Sequence, residues 1–269
     1  MLNDNVEKLN IETEHQLDSG IKPIEVSFIP LFDAYGEETT ALYIDSRINS
    51  LAVGTIESSM VNDALKTDET SAEYCLRIIE KSAQYLTALK VGGARIKKIM
   101  VNCPISLAKK ENLCGELKSI IEKAKLKDAT SLCLVFESDI LSAENLEKAK
   151  SLFADIEAAN ISTGIKGFGK TDFPMTTLLK LSPSVLFLDA SITKEAAGRK
   201  RPAVQALIQY AKGLDADIVA DGVSNDEELK ALRSEDCLGV MVADDYKGVY
   251  PISNRKIKSI DLVKYCEGV

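Results

Sequence analysis

The chain has 269 residues, 45% hydrophobic and 28% charged, with a formal net charge of −8. Length and balance suit one soluble α/β domain with a sizeable core. The acidic excess argues against nucleic-acid polymers as partners, and the lack of any apolar run near the ~20 residues a bilayer demands argues against a membrane.

Residues 1–20, MLNDNVEKLNIETEHQLDSG, read as a polar, acidic leader, too polar for a signal peptide. They hold the only histidine, His15, so a histidine base has no good candidate. Residues 21–269 read as one domain. EVSFIPLF and ALYIDSRI have strand character, and SAEYCLRIIEKSAQYLTAL has helical spacing closed by Gly92 and Gly93. KKIMVNC is a strand ended at Pro104. The helix ENLCGELKSIIEKAKL, the strand SLCLVFES and the helix SAENLEKAKSLFADIEAAN follow. Further on, TGIKGF, VLFLDAS, ADIVADGV and LGVMVADD read as strands, separated by helices at MTTLLKL, PAVQALIQYAKGL and NDEELKALRS. RKIKSIDLVKYCEG predicts a terminal helix. Strands alternating with helices indicate parallel βαβ units, and roughly eight of them favour a closed (β/α)8 barrel over an open sheet. The 6 cysteines have no C-x-x-C spacing. They read as buried, reduced thiols in a cytoplasmic protein.

Two segments carry a family resemblance: GIKGFGKTDFPMTTLLKLSPSVLFLDASI from Gly164, and IVADGVSNDEELKALRSEDC from Ile218. Both resemble the second half of the EAL domain, the bacterial phosphodiesterase family that linearises cyclic di-GMP. That family reads I-A-x-D-D-F-G-T-G, then a helix, then L-K-I-D. Here Phe168 and Gly169 keep the F-G, while Lys166 and Gly167 stand where the two aspartates belong. The spacing to Leu186-Phe187-Leu188-Asp189 needs no gap and places Phe187 at the family's lysine. The resemblance runs from about Val26 to Pro251 and implies a TIM-like (β/α)8 barrel of EAL type, with its site at the strand ends. GFGKTD lacks the first glycine and the spacing of a phosphate loop, so that motif is set aside.

The resemblance also implies divalent metals, Mg or Mn, that activate water against phosphorus. Asn102 matches the family's strand-end asparagine ligand; its ordinary role is to bond a turn before Pro104. Glu137 falls near the first glutamate of E-x-T-E, with Asp139 as a stand-in for the second; its ordinary role is a cap. Lys166 converts a metal ligand into a cation, placed to pair with Glu137, Asp189 or Asp221. Asp189 keeps the aspartate of L-K-I-D. Asp221 replaces the glutamate of A-E-G-V one methylene short, and Ser224 stands at the next glutamate. Met241 and Val242 replace a glutamine-glycine pair. The E of E-A-L falls at Thr40, Leu42 or Asp45 depending on register, and Arg47 lies close to the family's phosphate-gripping arginine but out of register.

These departures predict a degenerate EAL domain. Asn102, Glu137, Lys166, Asp189 and Asp221 are remnant positions without a catalytic role, Asn102 and Glu137 being the nearest to metal ligands. No cofactor is expected. The expected function is signalling through a protein partner. The alternatives are a receptor that binds cyclic di-GMP without hydrolysing it, and a residual phosphodiesterase using Mg or Mn. An enzyme acting on a different substrate through Glu137, Asp189, Asp221 and Lys166 ranks below them. The family's dimers use the region that corresponds here to Lys170–Leu181. Within it, Phe173, Met175 and Leu178 either pack in the core or supply a homodimer or partner contact.

Overall fold

In a computed structural model the chain is described at residues 24–50, 54–56, 65, 68–250, 252–253, 255–258 and 261–262. The leader 1–20 and part of the expected C-terminal helix lie outside these residues. The elements are β1 (Ile24–Phe32), β2 (Thr39–Ser50), β3 (Gly54–Ile56), α1 (Asp68–Val91), β4 (Lys98–Asn102), α2 (Leu113–Ala124), β5 (Leu132–Phe136) and α3 (Leu146–Ala158). They continue with β6 (Ser162–Phe168), α4 (Met175–Leu178), β7 (Val185–Leu188), α5 (Ala190–Thr193), α6 (Arg201–Lys212), β8 (Asp217–Val223), α7 (Asp226–Leu232), β9 (Gly239–Val242) and β10 (Ile257–Lys258).

Strands β2, β4, β5, β6, β7, β8 and β9 pair in that order, each parallel to the next. β1 pairs with β2 on one side and with β9 at Phe32–Val240 on the other, closing the sheet into the expected barrel. One feature departs from a run of parallel units. β1 and β2 form an antiparallel hairpin, paired from Ile24–Ile48 to Phe32–Thr39 with a register shift between Leu31 and Phe32. The cause is the short connection at residues 33–38, because a parallel crossover takes about a dozen residues or more. Asp33 Oδ1 accepts the Glu37 and Glu38 N–H groups at 2.8 and 3.2 Å, and Gly36 supplies the φ of 71° that the turn requires.

The expected C-terminal helix is corrected at its start, while Asp261 and Leu262 within it are helical. Ile257–Lys258 is a strand on β1, pairing with Phe28 and Ser27. β1 meets β9 at one position only, so the rest of its edge needs another backbone partner. Ile257 fills that place and is buried.

Period-two alternation sorts the barrel side chains. Leu31, Ala41, Tyr43, Met100, Cys133, Val135, Val185, Phe187 and Val219 pack together inside. The alternate positions, such as Leu42, Ile99, Leu134, Leu186 and Ile218, join the helices in the outer core. α1 buries Leu76, Ile79, Ala83 and Leu86 there, a stripe at helical spacing. Cys75, Cys103 and Cys133 are buried and, with half-buried Cys114 and Cys237, unbridged. Among the described residues no helix is long and apolar enough to cross a membrane.

The segment considered for a partner contact packs mostly inward. Phe173 and Leu178 are buried, and Met175 is half-buried against the core. Phe173 meets the Phe168 ring edge-on at 5.5 Å. A helix as short as α4 holds its place through its apolar side, so those side chains are committed to the core. Leu179, 56% exposed, is the large apolar residue left outside in this stretch. Leu178→Ala should therefore cost about 2–5 kcal/mol in a urea titration, and Leu179→Ala should stay within about 0.5 kcal/mol. Equal losses at the two positions would contradict this packing.

Candidate functional site

The alternation that fills the interior also determines what stands at the mouth. Two residues beyond inward-facing Tyr43, Met100, Val135, Phe187 and Val219 come Asp45, Asn102, Glu137, Asp189 and Asp221. Lys166 follows Gly164 in the same way; a Cβ on Gly164 would meet the inward Val135 and Cys133 side chains at 3.2 and 3.3 Å. Asn102 ends β4, Glu137 and Asp189 lie just past β5 and β7, and Asp45, Lys166 and Asp221 lie within β2, β6 and β8, together lining the mouth where a barrel of this kind gathers its loops. A cavity of about 580 Å³ opens there. Ile29, Tyr43, Tyr74, Cys75, Ile78 and Met241 give it apolar walls, and Asp45, Ser46, Asn102, Glu137, Lys166 and Asp244 supply polar groups.

Lys166 occupies the centre of this arrangement. Its Nζ lies 3.8 Å from Asp221 Oδ2, one of the pairings its position predicts. It also stands over the Tyr43 ring at 5.1 Å and the Phe187 ring at 5.9 Å, within cation–π range. Those rings meet edge-on with centroids 5.9 Å apart. Burial pushes the Asp221 carboxyl above the usual carboxylate range; Lys166 pulls it back, and Asp189 and Glu137 push it further up. Burial, with the negative charge of Glu137 and Asp221, likewise drives the Tyr43 hydroxyl well above its ordinary value.

The remaining positions divide by what holds them. Of the three candidates for the first glutamate, Asp45 alone reaches the mouth. Leu42 faces the outer core, and Thr40 is buried near the other end with its hydroxyl donating to the Leu31 carbonyl at 3.3 Å. Asp45 is 7% exposed, and Lys256 Nζ reaches its Oδ2 at 2.8 Å. Asp189 caps α5: its Oδ1 accepts the Ser191 N–H at 3.0 Å and the Ser191 hydroxyl at 2.6 Å. Asn102 and Glu137 are exposed on the cavity wall. Ser224 is drawn to α7, its N–H and hydroxyl donating to Glu228 at 2.8 and 2.9 Å. Arg47 is tied across the hairpin to Glu25 at 2.8 Å.

Sequence reasoning missed Tyr43, Lys256, Asp244 and the α1 wall formed by Tyr74, Cys75 and Ile78. Tyr43 carried a usable signal, lying two residues before Asp45 on one strand face. Lys256 carried none, because its neighbours read as helix.

The residues present do not fit a divalent ion. Such an ion takes several oxygen ligands. Here an ammonium stands at the mouth, Asp45 and Asp221 are paired with lysines, and Asp189 is spent on a helix. Among the described residues no three His, Cys, Asp or Glu side chains converge as a metal-holding group.

The EAL-domain family model matches residues 17–241. The cyclic di-GMP phosphodiesterase NbdA of Pseudomonas aeruginosa is 26% identical over 162 residues, which is 60% of this chain and 20% of NbdA. The chain thus spans about a fifth of that relative's length. The EAL enzyme Bd1971, solved with cAMP and cyclic di-GMP bound, superposes with a TM-score of 0.75 at 16% identity, covering 98% of this chain and 69% of that one. The PaMucR phosphodiesterase in complex with c-di-GMP gives 0.74 at 15% identity, covering 93% and 99%. The FimX EAL domain from Pseudomonas aeruginosa, bound to c-di-GMP, gives 0.71 at 15%, covering 87% and 93%. At these identities the structural likeness is one of fold.

If Asp189 serves the α5 terminus, Asp189→Ala should lose about 1 kcal/mol in urea denaturation, and Asp189→Ser, which keeps a capping oxygen, only a few tenths. Equal losses for both variants would show that the carboxylate charge matters at the mouth instead.

Proposed function

We propose that this chain, which belongs to the EAL-domain family, is a member that does not hydrolyse cyclic di-GMP and acts by binding another protein. The observation that carries this reading is the Lys166–Asp221 pair, 3.8 Å apart at the strand end where the resemblance calls for a metal-binding aspartate. A metal-assisted phosphodiesterase needs its ions to generate the nucleophile and to steady the charge on phosphorus. A fixed ammonium in that place repels a divalent ion. Two unit charges 4 Å apart interact by about 4 kcal/mol at an effective dielectric of 20, and the second charge of the ion doubles the cost. Gly167 deepens the loss. It leaves no carboxylate at the second aspartate's position, and the Lys170 side chain lies 3.2 Å from where a Cβ there would stand.

A protein partner is the reading that remains when the scaffold persists and the metal ligands do not. Phe173 and Leu178, being buried, do not supply the contact. A second reading, a receptor that binds cyclic di-GMP without cutting it, is favoured by the open cavity of about 580 Å³ at the mouth. The Bd1971, PaMucR and FimX structures each hold that nucleotide. Against it, Arg47 is engaged by Glu25, and the cavity wall carries Met241 where the family places a polar group.

The purified chain, incubated with cyclic di-GMP and Mg²⁺ or Mn²⁺, should form no linear dinucleotide above the protein-free rate. Metal-dependent product in proportion to protein would overturn the first reading. Calorimetric titration with cyclic di-GMP in EDTA separates the two readings: saturable heat supports the receptor, and none leaves the protein partner.

A further inference from the structure

We propose that the barrel mouth carries its own cations, with the Lys166 ammonium standing in place of a divalent ion and making the mouth complete without metal. This deepens the reading above by assigning what replaces the metal.

Three placements carry it. The first is the seat of Lys166. Its side chain is 21% exposed and stands over two ring faces, Tyr43 at 5.1 Å and Phe187 at 5.9 Å, with the Asp221 carboxylate 3.8 Å away. A flexible, solvated lysine has no reason to fold over two buried rings. One whose stem and ammonium are matched by apolar faces and a counter-charge does. Phe187 stands at the position of the family's lysine, so the aromatic floor replaces a cation that the ammonium of Lys166 now supplies.

The second is Lys170. A Cβ built on Gly167 would lie 3.2 Å from Lys170 Cδ and 3.5 Å from its Nζ. The Lys170 side chain therefore crosses the space into which a residue at 167 would project. One aspartate position has become a lysine, and its neighbour is covered by one.

The third is the match of charges around the rim. Asp221 has Lys166 and Asp45 has Lys256, at 3.8 and 2.8 Å. Asp189 has the N–H and the hydroxyl of Ser191 in α5. Each of these carboxylates, which a bare mouth would leave to repel one another, is answered by a donor from the chain itself. Asn102 and Glu137, the two positions nearest to metal ligands, are exposed to water, and among the described residues no three His, Cys, Asp or Glu side chains converge there.

The consequence is a mouth whose order does not depend on divalent ions. Two measurements on the full chain test it. Free Mn²⁺ is counted by electron paramagnetic resonance as protein is added, and thermal unfolding is followed in millimolar Mn²⁺ and in EDTA. The wild-type chain should leave the free Mn²⁺ signal unchanged and unfold at the same temperature in both buffers. Lys166→Met, which keeps the stem and removes the charge, should unfold several degrees lower in EDTA, and Lys166→Arg should recover most of that loss. Stoichiometric loss of free Mn²⁺ with wild-type protein would overturn the proposal, and that result needs no variant to fold. A Lys166→Met chain as stable as wild type in EDTA would overturn it as well. Failure here is distinguishable from failure of the functional reading: Mn²⁺ binding without hydrolysis removes the built-in cation and leaves the non-hydrolysing protein in place.

Discussion

The alternation of side chains along eight closed strands is the constraint on which the rest of the molecule depends. A residue that faces the barrel interior determines, two positions later, what stands at the mouth. Tyr43 and Phe187 fill the interior just below the rim and meet edge-on at 5.9 Å. They therefore form the floor under whatever occupies the centre of the mouth. Lys166 is set in register by the same alternation on β6, and its ammonium comes to rest over both rings. Packing of the interior and electrostatics of the site are consequences of one geometric rule.

The charge arrangement at the mouth follows from desolvation. Asp221 is partly withdrawn from water, and burial alone pushes its carboxyl toward the neutral form. Its side chain retains 25% exposure, so the pair with Lys166 is a half-buried one. Such pairs add little net stability compared with an apolar replacement, but removing one partner of a fully buried pair costs about 3–5 kcal/mol. Solvent access here reduces that figure. The pair thus acts less as a source of stability than as a lock, because either residue alone leaves the other poorly solvated.

Much of the fold was legible from the sequence because strand alternation and helix spacing are local. The order of strands from β4 to β9 is such a case, and so is the place of Lys166 within reach of the mouth acids, its partner being open in the sequence between Glu137, Asp189 and Asp221. The hairpin of β1 and β2 was hidden because both strands read correctly while their relative direction depended on a six-residue turn. β10 was hidden because Ile257 gains its place from an edge of β1 more than 200 residues away in sequence, which no local pattern encodes. The inward packing of Phe173 and Leu178 was undecided in the sequence for a related reason: a short apolar segment has the same composition whether it covers a core or a partner. Lys256 at Asp45 depends on β10 and shared its invisibility. Of the three positions open for the E of E-A-L, Thr40, Leu42 and Asp45, Asp45 is the one that lines the mouth cavity.

The central claim is that lysine ammonium groups hold the positions where this family's resemblance calls for metal. A crystal of the protein soaked in Mn²⁺ and cyclic di-GMP, with data collected at the manganese edge, addresses it most directly. The account predicts no anomalous peak at the mouth, with Lys166 Nζ remaining beside Asp221 and over the Tyr43 ring. A manganese peak among Asn102, Glu137 and Asp221, with Lys166 displaced toward solvent, would contradict it.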